Sequence, residues 1–202
     1  MKKEVVAILL VAVIAIILVF ATLVPKPVQE TDARKFVLED LWSKYPNADN
    51  ISIISADVIV SNQSAAKYFT IKARVTQGLY SPCPDRRHLY YNYPEQGFVK
   101  QPDELVVSNC VICRNQPTCI LLFEEEAIVA SHTMPGTSEV QAYLQAHTDA
   151  KPAFSLVPEY KGSKDVWLVA WDSESAPDSY SVALLKSNAS VVEVSKAIKP
   201  VQ

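Results

Sequence analysis

The sequence has few of the residues that build the common nucleotide-binding and catalytic motifs. It contains four glycines and three histidines among 202 residues. Phosphate-binding loops and dinucleotide-binding turns need several glycines at fixed spacing, and neither pattern occurs, nor does the G-x-S-x-G turn of serine hydrolases. No two histidines have the i, i+4 spacing of a helical metal site. We therefore predict no bound cofactor and no resident metal.

The chain also lacks an excess of positive charge. Its formal net charge is −3 and its isoelectric point is about 5.6. Proteins that bind nucleic acid concentrate lysine and arginine, because phosphate contacts supply much of their affinity. We therefore expect no nucleic-acid partner.

One long apolar segment stands apart from the rest of the chain. Residues 5–24 contain no ionisable side chain, and a helix of about 20 such residues spans the hydrocarbon core of a bilayer. Lys2 and Lys3 precede it, as in a secretory signal peptide, but a signal-peptide apolar region is usually about 7–15 residues long. The sequence therefore predicts an uncleaved transmembrane signal-anchor over residues 1–24 and a lipid bilayer as partner, with a cleaved signal peptide as the alternative.

A short linker, residues 25–30, joins this segment to the rest of the chain. It contains two prolines, and extended chain of this length holds the following domain within about 20 Å of the bilayer. Lysines flank the apolar segment on both sides, so charge does not determine orientation. All four cysteines and three glycosylation sequons, at Asn50, Asn62 and Asn188, follow the anchor. We therefore predict a single-pass cell-membrane protein with its head outside the cytoplasm.

The head alternates between helical and strand patterns. Residues 31–45 have apolar positions at four-residue spacing, which predicts an amphipathic helix with Thr31 as its N-cap. Residues 68–77 alternate apolar and polar side chains, which predicts an antiparallel strand with one buried and one solvated face. A second helix is predicted from Ser138, where Gln141 completes the capping-box spacing. The other predicted strands are residues 51–60, 104–113, 118–123, 152–157, 166–171, 180–186 and 191–194.

This order predicts an α+β fold of two units, residues 31–134 and 135–198, in which a helix packs on an antiparallel sheet. Residues 81–102 are rich in proline and aromatics and are interpreted as a long structured insertion. Residues 124–132 fit either a strand or a short helix, and the three consecutive glutamates there are typical of a solvated edge. Trp167 and Trp171 share one face of a strand, which predicts core positions.

Two stretches, LWSKYPNADNISIISADVIVSNQSAAKYFTIKARV and VWLVAWDSESAPDSYSVALLKSNASVVEV, resemble PepSY and cystatin-like units of extracytosolic proteins. The resemblance implies a helix packed on a curled antiparallel sheet, and a role in binding or regulation without shared catalytic residues. The cysteine-bearing insertion departs from the usual unit. The whole chain is also similar to membrane-anchored archaeal proteins, which implies no activity.

The four cysteines lie within one short stretch and admit three interpretations. An extracytosolic head predicts two disulfides; a hairpin centred near residue 116 sets Cys113 opposite Cys119 and leaves Cys110 for Cys83. A zinc site is the second interpretation, with Cys110 and Cys113 as a knuckle completed by Cys83, Cys119 or His88. The third is thiol redox chemistry at Cys110 and Cys113, which normally needs a helix N-terminus.

Aromatic and arginine side chains are interleaved around the insertion. Tyrosine and arginine dominate the energetic centres of protein interfaces, so the stretch is a candidate contact surface for a protein or glycan partner. The alternative is a lid over an open sheet edge. The predicted contact residues are Tyr80, Arg86, Arg87, Tyr90, Tyr91, Tyr93 and Phe98.

These features together predict a membrane-anchored, extracytosolic binding or regulatory module of the cell envelope that is not an enzyme. One alternative is a membrane-tethered hydrolase or thiol oxidoreductase, which would place His132 against the glutamates at residues 124–126 or the Cys110/Cys113 pair at a helix N-terminus. Another is a pilin-like surface subunit. Against it, such a helix would be expected to continue past Pro25.

Overall fold

A computed structural model of the chain describes residues 28–60, 67–95, 101–113 and 116–199. The predicted anchor, residues 1–24, lies outside the described residues. Within the described residues, no helix is both long enough and apolar enough to cross a bilayer. The membrane anchor therefore remains a prediction from the sequence.

The described chain is an α+β protein with three helices and two separate four-stranded antiparallel sheets. Each sheet is a meander in which consecutive strands are neighbours, so the predicted fold class is confirmed at this level. The first half consists of α1 (Glu30–Lys44), β1 (Asn50–Val60), β2 (Lys67–Gln77), β3 (Asp85–Tyr93) and β4 (Glu104–Val107). The second consists of α2 (Glu124–Thr133), α3 (Ser138–Ala146), β5 (Lys151–Tyr160), β6 (Ser163–Asp172), β7 (Asp178–Leu185) and β8 (Val191–Ile198).

In the first unit, α1 packs along one face of the β1–β4 sheet. Ala33, Val37 and Leu41 are fully buried, as their four-residue spacing predicts. The helix begins at Glu30 with Gln29 at the N-cap position and no side-chain cap, so the prediction of Thr31 as N-cap is wrong. Acidic side chains in the first turn complement the positive end of the helix dipole instead.

The strand β2 is an inner strand of the first sheet. Near the end of this strand, the face that was predicted to be solvated is buried. Phe69 and Ile71 face α1 as expected. On the opposite face, however, Arg74 is 6% exposed and Thr76 is fully buried. The predicted solvated face is therefore covered near the end of the strand, by groups from α2.

The predicted insertion contains a regular core strand. β3 pairs with β2 along its whole length, so that Leu89 lies opposite Ala73 and Tyr91 opposite Ile71. Leu89 and Tyr91 belong to the core under α1. The alternation was obscured because Arg86 and His88, on the other face, are buried polar residues in place of solvated ones.

In the second unit, α2 and α3 pack on one face of the β5–β8 sheet. Trp167 and Trp171 lie together in this core, as predicted. Trp171 is fully buried, and its Nε1–H donates to Ser131 Oγ on α2 at 2.8 Å. α2, which the sequence analysis placed in the first unit, contributes Ala127, Ile128 and Ala130 to this core.

The connection between the units is mostly irregular. β4 ends at Val107, earlier than predicted, and the predicted strand at residues 118–123 is not a strand. Leu121 nevertheless is fully buried in the second core. α3 begins at Ser138 as predicted, but Thr137 occupies the N-cap position and no side chain caps the helix, so the predicted capping box is wrong.

Candidate functional site

A buried cluster of charged side chains joins the two units. The three glutamates that open α2 are not a solvated edge, because Glu125 is fully buried and Glu126 is 6% exposed. They pack against Arg74 on β2 and Arg86 on β3. The sequence analysis missed this cluster, since both arginines occur at alternating strand positions that are usually solvated.

Each arginine has its own carboxylate. The Arg74 guanidinium donates two hydrogen bonds to Glu124, at 3.2 and 3.1 Å. Arg86 pairs with Glu126, and Thr76 donates its hydroxyl hydrogen to Glu125. Hydrogen bonds of this charge-assisted kind are stronger than neutral ones, so they offset part of the desolvation of the ions.

Phe123, the residue before α2, lies between the two arginines. The guanidinium carbons of Arg74 and Arg86 are 4.5 and 4.7 Å from the centre of its ring. Glu126 caps the same helix end, since its carboxylate accepts the backbone N–H groups of Leu122 at 2.6 Å and Phe123 at 3.0 Å. Cation–π contacts and the cap therefore fix the start of α2 against the first sheet.

Some atoms of the cluster have no hydrogen-bond partner among the described residues. They are Arg86 Nε and Nη1 and Glu125 Oε2, with Nη1 and Oε2 separated by 3.6 Å. Burial raises the pKa of Glu124, but hydrogen bonds from its helix backbone and from Arg74 outweigh burial and leave the pKa below its ordinary value. The cluster therefore holds charged groups in the interface between the two units.

Both predicted disulfides are present. Cys83 pairs with Cys110, with Cα atoms 4.7 Å apart, and Cys113 pairs with Cys119, with Cα atoms 5.1 Å apart. Cys110 and Cys113 are not bonded to each other, and both lie in turns with positive φ, not at a helix N-terminus. The arrangement lacks the geometry of a redox C-x-x-C site.

His132 of α2 lies beside the first disulfide. One ring nitrogen of His132 and the sulfurs of Cys83 and Cys110 are all within 4.8 Å of one another. His88, the histidine predicted for a zinc site, is not in this group. His132 Nε2 lies 2.8 Å from the carbonyl oxygen of Pro82, and burial lowers its pKa. The Pro82 contact connects the loop before β3 with the second unit.

The hydrolase alternative placed His132 against the glutamates at residues 124–126. Glu125 and His132 lie on one helix about 10 Å apart along its axis, and the ring of His132 packs edge-on against Trp171 at 5.9 Å. The geometry therefore does not bring this histidine to a carboxylate at a reacting centre.

A second polar group joins the start of β5 to the turn before β7. Ser173 and Ser175 donate their hydroxyl hydrogens to Asp149 at 2.8 and 2.9 Å, and these bonds lower the pKa of Asp149 to about 2. His147 Nδ1 lies 3.1 Å from Ser175 Oγ. The serine stands between histidine and aspartate, whereas a catalytic triad needs the histidine in the middle. This group therefore acts as a turn anchor.

Among the described residues, the predicted contact surface does not form one patch. Arg86 is 2% exposed in the charge cluster, and Tyr91 is 8% exposed with its hydroxyl donating to Asp40 at 2.7 Å. Burial, reinforced by Asp40, raises the pKa of Tyr91. These two assignments are therefore wrong. The remaining predicted residues are exposed at Tyr80 and Arg87, half-buried at Tyr90 and Tyr93, and outside the described residues at Phe98.

Tyr80 has an additional contact that the sequence did not indicate. Its side chain is 58% exposed, yet its ring stacks on Phe154 of β5 with centroids 6.4 Å apart. The neighbouring Leu79 is buried in the second core. The loop that follows β2 therefore connects the units.

The asparagines of the predicted glycosylation sequons differ in exposure. Asn188 is exposed in the β7–β8 turn, where its side-chain oxygen accepts the Ser190 N–H at 3.0 Å. Asn50 is half-buried at the start of β1, and its amide nitrogen lies 3.4 Å from Glu124 Oε1. Asn62 lies outside the described residues. Asn188 is thus the better acceptor of the two described asparagines.

The outer face of the second sheet carries a groove of about 430 Å³. Its floor is one register row of small residues, Ala153, Ala170, Ser181 and Ser195, and Leu168 lies beside them. Sequence reasoning missed it, although small residues recurring on one face of neighbouring strands are a usable signal. Hydroxyl and methyl groups on this floor suit a partner that approaches closely.

Comparison with protein-family models, with curated proteins and with solved structures finds no match to this chain. The resemblance to PepSY and cystatin-like units therefore stays a prediction. The function is accordingly inferred from the residues and their geometry.

Proposed function

We propose that this protein is a membrane-anchored, extracytosolic module of the cell envelope that binds a protein partner and has no catalytic role. The observation that carries the proposal is the pair of disulfides, which consumes all four cysteines of the chain. Disulfides persist in oxidising compartments. Together with the apolar segment at residues 5–24, they support a head outside the cytoplasm.

The arrangement of the two units supports a function at a distance from the bilayer. The N-terminal end of α1, which follows the linker, lies at the end of the first sheet where β1 ends and β2 begins. The charge cluster that holds the second unit lies at the opposite end of β2, near Thr76. From Lys67 to Thr76 the strand spans about 30 Å, so the second unit is the outer one.

The groove on the outer face of the second unit is the binding surface in this proposal. Its volume falls within the usual range for ligand sites, and its two methyl and two hydroxyl side chains match the mixed polarity of protein interfaces. The small side chains at Ala170 and Ser181 let a polypeptide backbone approach the sheet closely. A glycan is the other occupant that the experiment must distinguish.

Topology can be tested on cells that produce the full chain. Intact cells are treated with a membrane-impermeant reductant and then with a membrane-impermeant maleimide. The proposal expects labelling after reduction and little before it. A variant with all four cysteines replaced by serine gives the background. Labelling that requires cell lysis, or that occurs without reductant, contradicts the proposal.

The binding surface can be tested with a photo-crosslinking amino acid at Ser181 in the groove. The matched control places it at Ser43, an exposed serine on α1. We expect an adduct from the Ser181 position that is absent from Ser43 and is lost in the Leu168→Lys variant. Protease sensitivity of the added mass identifies a protein partner, whereas glycosidase sensitivity or equal adducts from both positions contradict the proposal.

A further inference from the structure

One end of the first unit exposes apolar side chains on several elements at once. The relative exposure is 52% for Val58, 37% for Ile59 and 53% for Val60 at the end of β1. Val58 lies in register with Phe69 on the α1 side of the sheet, and Ile59 lies in register with Tyr68 on the other side. Both faces of the sheet are therefore apolar and exposed at this end.

An aromatic pair extends the same surface onto α1 and β3. Phe36 is 47% exposed, and its ring centroid lies 5.1 Å from that of Tyr93. Tyr93 is in register with Phe69 on β2, which in turn pairs with Val58. The five apolar and aromatic residues, Val58, Ile59, Val60, Phe36 and Tyr93, form a continuous end of the unit, called here the apolar end.

The chain reaches this end from the predicted anchor. Tyr91 on β3 contacts Asp40 on α1, and Tyr93 contacts Phe36. The end of β3 at Tyr93 therefore lies beside the N-terminal half of α1. By this correspondence the start of α1, at Glu30, lies level with the end of β1. The five residues between the anchor and Glu30 span at most about 15 to 18 Å.

We infer that the apolar end lies on the lipid surface and inserts its side chains at the boundary between headgroups and acyl chains. This inference rests on the proposed membrane anchor. The tether leaves no room for a folded domain between the apolar end and the bilayer. Lys35 and Lys67 are exposed at this end, but so are Asp32 and Asp57, so the contact is apolar and not a basic patch for anionic lipid.

The test uses the full chain in phosphatidylcholine vesicles and tryptophan fluorescence. Val60→Trp places a reporter on the apolar end, and Leu122→Trp, at a residue of similar exposure beside the charge cluster, is the matched control. The parent protein supplies the signal of the native tryptophans. Vesicles with acyl chains brominated near the headgroup quench tryptophans at that depth.

We expect brominated lipid to reduce the added emission of Val60→Trp at least twofold and to leave that of Leu122→Trp nearly unchanged. Ile59→Trp, on the other face of the same strand, is expected to behave like Val60→Trp. Equal quenching at Leu122, or none at Val60 and Ile59 in protein that floats with the vesicles, overturns the inference while leaving the anchor intact. Protein that does not float overturns both the anchor and the inference.

Discussion

The two units share a meander of four antiparallel strands but bury them in different ways. In the first unit, α1 covers one face of the sheet, and part of the other face is closed by Arg74, Arg86 and the glutamates of α2. In the second unit, α2 and α3 cover one face with an apolar core, and the other face carries the groove. The first unit therefore closes the second face of its sheet with charged groups from α2, whereas the second takes Leu79 of the β2–β3 loop into its apolar core.

The largest expected effect is in the apolar core of the second unit. Trp171→Ala is expected to lower the free energy of unfolding by about 3–5 kcal/mol, because it leaves a cavity and removes the hydrogen bond to Ser131. Trp42→Ala, at a residue 46% exposed on α1, is the control and should change stability by less than about 0.5 kcal/mol. Denaturant titration measures the free energy of unfolding of both variants. Equal losses would contradict the prediction that Trp171 contributes more to stability than Trp42.

The disulfides test the connection between the units. Replacing Cys83 and Cys110 by serine is expected to cost about 3.5 kcal/mol, and replacing Cys113 and Cys119 about 2 kcal/mol, because the loops they close differ in length, with separations of 27 and 6 residues. The ranking is measured by denaturant unfolding of the two double variants. A larger loss from the short loop would contradict it.

The charge cluster has the next largest expected effect. Glu126→Gln keeps the shape of the side chain but removes the closer of the two carboxylates beside the buried Arg86, leaving Glu125 at 3.6 Å, and this is expected to cost about 3 kcal/mol. Glu139→Gln, at an exposed position on α3, is the control. Adding Arg86→Met to Glu126→Gln should restore part of the loss, since the buried cation that lost its closer carboxylate is then removed. No recovery would indicate that the cluster acts mainly as the cap of α2.

The expected effect that is smallest at neutral pH is a pH dependence that belongs to the first sheet. Burial, with help from Lys72 and Arg86, lowers the pKa of His88 to about 4, whereas the same group titrates near 6.5 when unfolded. The unfolded chain therefore binds the proton first, and stability falls as the pH drops from about 6.5 to about 4. His88→Gln should flatten this part of the stability profile, measured by thermal unfolding across that range. An unchanged slope would contradict the assignment.

The sequence predicted the elements whose faces are uniform along their length. The α1 stripe through Ala33, Val37 and Leu41 and the four strands of the second sheet were found because burial there follows a simple period. β3 was missed because its second face buries Arg86 and His88, and those side chains read as solvated. The side chains on this face are buried by the neighbouring unit. The local sequence of β3 does not indicate where that unit lies, so the strand could not be recognised from its alternation.

The candidate sites show the same limit. The pairing of the cysteines followed from hairpin geometry, since Cys113 and Cys119 flank a short turn. The charge cluster could not be predicted in this way, because the glutamates of α2 pair with arginines about 40 and 50 residues earlier in the chain. The groove was also missed, since a row such as Ala170 and Ser181 exists only after strands are placed in register.

The bond between Cys83 and Cys110 has a mechanical consequence for a head tethered at one end. A partner that pulls on the second unit would load the chain between that unit and the anchor. The disulfide carries the force directly from Cys83 to Cys110, so β3 and β4 are not loaded. The 27-residue stretch between the two cysteines therefore does not extend when the first sheet unfolds. Fully extended, that stretch would release about 90 Å of chain. When the first unit unfolds under load, the oxidised head therefore releases less chain than the reduced head, by this length.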